Sequence, residues 1–114
     1  MTMQNRLREF EELVLLSVLI AGEEAYGVSI QRILEDDAGR AVSLGAIYTA
    51  LARLSQKGLV RSELGEPTPV RGGRRKRHYA LTPAGVAQVR EARRVRETMW
   101  EKIHLEAMKG GVVR

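Results

Sequence analysis

Residues 42–60 read Val42-Ser43-Leu44-Gly45-Ala46-Ile47-Tyr48-Thr49-Ala50-Leu51-Ala52-Arg53-Leu54-Ser55-Gln56-Lys57-Gly58-Leu59-Val60. Ser43 is a favoured N-cap and Gly58 a favoured C-terminal stop, so the segment predicts a helix from Ser43 to about Lys57. Leu44, Ile47, Leu51 and Leu54 succeed one another at intervals of three, four and three, which makes one apolar face. The opposite face carries Ala46, Thr49, Ala52, Arg53 and Gln56, with Tyr48 at its flank. No Asp or Glu occurs from Arg40 to Lys57, although 29% of the chain is charged. Small, acid-free outer positions such as Gly45, Ala46, Thr49 and Ala52 let a helix backbone approach phosphates closely. The competing explanation is an ordinary exposed helix that happens to lack acids.

Two helices are expected before this one. The first, from about Asn5 to Ala21, holds no Gly or Pro; it starts amphipathic and becomes apolar nearly all round, as in helices at a core centre or a subunit interface. Gly22 ends it. The second runs from about Tyr26 to Asp36 with Ile30, Ile33 and Leu34 inward, and Gly39 marks its exit. After Gly58, Leu59–Glu63 and Arg77–Leu81 read as short strands of a hairpin. The loop between them holds Gly65, Pro67, Pro69, Gly72 and Gly73. Thr82-Pro83 then supplies an N-cap and a first-turn proline. The helix it opens is expected to reach about Lys109, roughly 27 residues and about 40 Å. Its apolar members Val95, Met99, Trp100, Ile103 and Ala107 are expected to meet a partner helix.

The order of helix, helix, helix, hairpin and long helix predicts a mainly α chain with a small β-hairpin. This is a winged helix-turn-helix over residues 1–82, followed by a C-terminal helix and tail over residues 83–114. In such an arrangement the third helix packs its inner face on the first two and leaves its outer face free for a DNA major groove, about 12 Å wide. The hairpin tip reaches the neighbouring minor groove.

Charge supports that geometry. Arg71, Arg74, Arg75, Lys76 and Arg77 put five cations into seven residues, just before His78 and Tyr79. From Arg71 to Arg96 nine Lys/Arg face one acid, whereas the remainder has ten basic and thirteen acidic residues, so the net charge of +5 is concentrated in one patch. A patch of this kind is the electrostatic footprint of a nucleic-acid binder. A solvated basic loop is the plainer alternative, and the flanking strands argue against it. Gly72 and Gly73 would let the loop enter a narrow groove without β-carbon clashes.

Other functions find little support in 114 residues. Five aromatics are too few stacking platforms for a single-strand binder. Cysteine is absent, and His78 and His104 have no acids at ligand spacing, so no metal or cofactor is expected. The serines lack any nucleophile context, and catalysis is not expected. The apolar stretch Leu13–Ala21 is far short of the ~20 residues that span a bilayer. With no signal-peptide pattern either, the chain is expected in the cytoplasm, without a membrane partner. Trp100 fits two roles: anchor of a dimer core, or flat wall of a pocket for a planar ligand.

Residues 42–60 resemble the recognition-helix signature of PadR-family transcriptional regulators. Gly73-Arg74-Arg75-Lys76-Arg77-His78-Tyr79-Ala80-Leu81-Thr82-Pro83-Ala84-Gly85 is similar to that family's wing and the entry to its C-terminal helix. Tyr26-Gly27 and the leucine-rich Leu13–Ile20 match as well, so the resemblance covers roughly residues 7–109. Thr49 stands where the family often has proline. The resemblance implies a homodimeric repressor of the short subfamily, with a single C-terminal helix packing on helix one of the partner. Phe10 and Leu13, with Val95, Met99, Trp100 and Ile103, are then the expected dimer or effector interface. Ser43, Gly45, Ala46, Tyr48, Thr49 and Arg53 are expected to meet operator DNA, and Arg71, Arg74, Arg75, Lys76, Arg77, His78 and Tyr79 to grip it through the wing. Some short members bind flat aromatic or drug-like effectors between subunits. A small-molecule sensor whose main role is ligand capture is therefore the alternative function, and an architectural or RNA-binding protein is a third.

Overall fold

The computed structural model describes residues 7–65, 76–104 and 108–109. The chain forms α1 (Glu9–Ala21), a single 3₁₀ turn (Gly22–Glu24), α2 (Gly27–Ala38), α3 (Leu44–Gln56), β1 (Val60–Leu64), β2 (Arg77–Leu81) and α4 (Pro83–Glu101). Local chemistry sets most of these boundaries. At the start of α1 the Arg8 amide donates to Glu11 Oε1 at 3.2 Å. The Tyr26 amide donates to Ser29 Oγ at 3.0 Å ahead of α2. Ser43 Oγ accepts from the Ala46 amide at 3.1 Å to cap α3. Gly39 and Gly58 take φ of +67° and +76°, the left-handed conformation that glycine enters without a β-carbon penalty.

The core is a three-helix junction closed by the hairpin. Val14, Leu15 and Val18 of α1 meet Ile30 and Leu34 of α2 and Ile47, Ala50, Leu51 and Leu54 of α3, with Leu59 and Val60 below them. Ala50 joins the buried face expected for α3, whereas Leu44, in its first turn, stays half-buried. Ile33 is likewise half-buried, leaving Ile30 and Leu34 as the buried stripe of α2. A partly buried ion pair borders this core: Lys57 Nζ lies 2.7 Å from the buried Glu11 Oε1, tying α1 to the residue that ends α3.

β1 and β2 pair antiparallel, Val60 opposite Leu81 through Leu64 opposite Arg77. The Tyr79 amide donates to the Ala25 carbonyl at 2.9 Å, attaching the hairpin to the turn before α2. Thr82 then makes a compact joint. Its Oγ1 donates to the Gly58 carbonyl at 2.6 Å and accepts from the Gly85 amide at 3.1 Å. Its own amide donates to the Leu59 carbonyl at 3.0 Å. Gly85 sits against that same carbonyl, where no β-carbon fits.

The expected single helix from Pro83 to Lys109 is corrected by the structure. α4 ends at Glu101 after 19 residues, about 28 Å. Its last turn tightens, with the Lys102 and Ile103 amides donating three residues back to Met99 and Trp100. The last buried residue of α4 is Val89. Beyond it none of the residues of α4 is buried among the described residues, and packing rather than propensity sustains most helical turns. Ala107 lies outside the described residues.

Candidate nucleic-acid interface

α3 is the element that carries the expected reading residues. With Ile47, Ala50, Leu51 and Leu54 facing the core, helical geometry turns Gly45, Ala46, Thr49 and Arg53 to solvent, and all four are exposed. Ser43 is exposed too, although its hydroxyl is engaged as the cap. Tyr48 is 45% exposed and lies along the flank towards α2, its ring against Gly27. A β-carbon on Gly27 would stand 2.6 Å from Tyr48 Cζ. Only a glycine at the start of α2 lets Tyr48 adopt this position.

The hairpin brings cations beside that face. Lys76 Nζ stands 4.2 Å from the centroid of the Tyr26 ring, a cation–π contact. Exposed Arg77 donates from Nη1 to Ser62 Oγ at 3.1 Å across the ladder. Arg71, Arg74 and Arg75 lie outside the described residues.

Two of the expected wing residues lie deeper than the sequence suggests. Tyr79 is 9% exposed and belongs to the hydrophobic core, because β2 packs this side against α1 and Ala25. Burial, with Tyr48 nearby, pushes its hydroxyl above the ordinary phenol range. His78 is half-buried. Its Nδ1–H donates to the Glu23 carbonyl at 3.1 Å, and its ring centroid is 5.6 Å from that of Tyr26. Both residues thus tie the hairpin to the segment that leads into α2.

Tyr26, which the sequence marks only as the opening of α2, turns out to be central. Its ring meets both Lys76 and His78, and its hydroxyl donates to Glu24 Oε1 at 3.4 Å. A cleft of about 620 Å³ lies between α2, Tyr48 and the hairpin, lined in part by Tyr26, Ser29, Arg32, Lys76 and Arg77. The Tyr26-Gly27 pair could have drawn attention to this place. Arg32 carried no sequence signal beyond its charge.

The apolar surface differs in detail from expectation. Phe10 and Leu13 are half-buried against the chain's own core. The exposed apolar residues of α1 are instead Leu16, Leu19 and Ile20, a helical i, i+3, i+4 set that its all-round hydrophobicity concealed. On α4, Val95, Met99 and Trp100 are exposed, as is Ile103 just beyond it. A second cavity, about 500 Å³, opens between the two helices and includes Leu16, Leu19, Val89, Arg93 and Trp100. Arg96 Nη1 bridges it to Glu12 Oε2 at 2.7 Å. Among the described residues no helix is long and apolar enough to cross a membrane.

Three packed helices, an acid-free exposed third helix and an antiparallel hairpin at its side define a winged helix-turn-helix with a C-terminal helix. The model of the transcriptional regulator PadR-like family matches residues 15–91, and the chain belongs to that family of transcriptional regulators. No curated protein matches it. Among solved structures it is similar to a PadR family transcription regulator from Clostridium difficile R20291. There the identity is 26% over 81% of this chain and 96% of that one, with a TM-score of 0.60. A PadR-like transcriptional regulator from Bacillus cereus shares the fold at 23% identity, over 90% and 93% of the two chains, with a TM-score of 0.67. Bacillus subtilis PadR in complex with operator DNA shares it at 16% identity, over 85% of this chain and 49% of that one, with a TM-score of 0.58.

Proposed function

We propose that this regulator is a homodimeric repressor that binds a two-fold symmetric operator. The observation that carries the reading is the exposed, acid-free face of α3 beside a hairpin that presents Lys76 and Arg77. Ser43, Gly45, Ala46, Tyr48, Thr49 and Arg53 enter the major groove. The cations from Arg71 to Arg77 hold the backbone and contribute affinity without sequence choice. That Bacillus subtilis PadR has been solved with operator DNA on the same fold supports this assignment. Residues 1–82 serve as the DNA-binding unit and residues 83–114 as the dimerisation element. The exposed residues Leu16, Leu19 and Ile20 of α1, together with Val95, Met99, Trp100 and Ile103, meet the second copy. An exposed set this apolar is typical of interaction surfaces.

Selection of bound duplexes from a random pool tests the reading. It should return a symmetric consensus with half-sites about one helical turn, ~34 Å, apart. Lack of enrichment, or a consensus without symmetry, overturns it. A regulatory reading rests on the cavity at Trp100: a planar aromatic effector stacks there between subunits and releases DNA. Quenching of Trp100 by such a compound, accompanied by loss of DNA binding, supports release. Quenching without loss of DNA binding favours a ligand-capture role.

A further inference from the structure

We infer that the cleft between α2 and the hairpin seats the sugar-phosphate strand dividing the two grooves, with Arg32 as its phosphate ligand. The inference rests on the DNA-binding reading above and deepens it. A helix in the major groove and a hairpin in the adjacent minor groove must straddle the backbone strand between them. In this chain the space being straddled is the 620 Å³ cleft, with Tyr48 of α3 on one side and, on the other, Lys76 just before β2 and Arg77 at its start. Arg32 of α2 lines it, is exposed, and has no ion-pair partner among the described residues.

Chemistry favours a phosphate over other occupants. Three cations, Arg32 of α2 and Lys76 and Arg77 of the hairpin, line the cleft, and none of the described residues lining it is acidic. Glu24 is engaged at the Tyr26 hydroxyl. The Ser29 hydroxyl is occupied locally, accepting from the Tyr26 amide. Tyr26 keeps the Lys76 ammonium over its ring, so the second cation is held in position before DNA arrives. A guanidinium with no carboxylate partner among the described residues, lining the same cleft as an ammonium held over a ring, suits a backbone phosphate group.

The test measures binding of the full chain to a short labelled duplex of mixed sequence, across a series of salt concentrations. Arg32→Ala should weaken binding roughly fivefold and lower the slope of log affinity against log salt by about one. The loss should be equal on any enriched operator, because a phosphate ligand carries no sequence information. Arg94→Ala, which removes an exposed cation on α4 that is paired with Glu91, should change neither quantity, and thermal melting should confirm that both variants are folded. An unchanged slope in Arg32→Ala, while Lys76→Ala and Arg77→Ala still lose affinity, overturns this inference and leaves the DNA-binding reading intact. Wild-type protein that binds no duplex sinks both. A single-stranded oligonucleotide that binds as tightly as the duplex, and loses as much in Arg32→Ala, overturns it as well, since the tyrosines would then be stacking a base.

Discussion

Tyr48 rests on Gly27 so closely that a β-carbon on the glycine would stand 2.6 Å from the tyrosine Cζ. The pair joins the candidate reading helix to the start of α2 at a place where one residue supplies the ring and the other its room. Gly27→Ala should therefore displace Tyr48 and cost about 1–2 kcal/mol of stability through overpacking. In a Tyr48→Ala background the same change should cost almost nothing. Denaturant unfolding of the four proteins in the double-mutant cycle reads this directly, and additive losses would refute the contact.

The Gly85 site is less forgiving, because a β-carbon there meets the Leu59 carbonyl, which is backbone and cannot swing aside. Gly85→Ala should destabilise the fold by about 3 kcal/mol and loosen the junction between hairpin and α4. Thermal unfolding, with hydrogen exchange at the Thr82 and Gly85 amides, would register both effects.

Glu11 offers a pH signature. Burial alone would raise its carboxyl pKa, yet the Lys57 ammonium and the Arg8 amide outweigh burial and hold it below the ordinary 4.5. A folded value below the unfolded one contributes stability that is full above the unfolded value and lost as pH falls through the folded value. Stability should accordingly decline on acidification below about pH 4.5, and Glu11→Gln should flatten that decline. Lys57→Met leaves the buried carboxylate without its cation, and Glu11 Oε2 has no hydrogen-bond partner among the described residues. It should cost about 2–3 kcal/mol at neutral pH.

The wing and the reading helix should separate in their DNA phenotypes. Replacing Arg74, Arg75 and Arg77 together by Ala should weaken binding to every duplex and lower the salt slope by about three. Tyr48→Ala should instead reduce operator affinity with the salt slope intact and the dimer unaffected. Mobility shifts at several ionic strengths, alongside sedimentation, distinguish the two patterns.

Trp100 is the sole tryptophan and is 59% exposed in the isolated chain. If it is covered by a second copy, its emission should shift to the red as the protein is diluted and the dimer dissociates. Trp100→Ala should raise the concentration at which dimers form by at least tenfold, as expected for an interface anchor. Emission that does not change with concentration argues against its place in the interface.

Much of this architecture was legible because punctuation in the chain is strong. Ser43, Gly39, Gly58 and Thr82-Pro83 each stop or start a helix for a local reason, and the structure uses all of them. The end of α4 was not legible, since residues 102–109 contain no breaker and termination follows from what the helix does not pack against. The depth of Tyr79 was not legible for a related reason. A period of two assigns Arg77 and Tyr79 to one strand face, but only the neighbouring Ala25 and α1 decide how deeply each position lies. Leu16, Leu19 and Ile20 were hidden by an α1 apolar on every side, and Arg32 by being one arginine among many. Local signals fixed elements; burial and cleft formation depended on neighbours distant in sequence.

The single hydroxyl of Thr82 spans the end of α3 and the start of α4, bonded to Gly58 on one side and Gly85 on the other. In a dimer built through α4, that joint fixes the angle at which each reading head leaves the shared axis. On the proposed reading, operator spacing is then separable from operator sequence: changes at 58, 82 or 85 would re-aim the heads without altering the residues assigned to the bases. A lineage could retune the distance between its half-sites while its reading helix stayed the same.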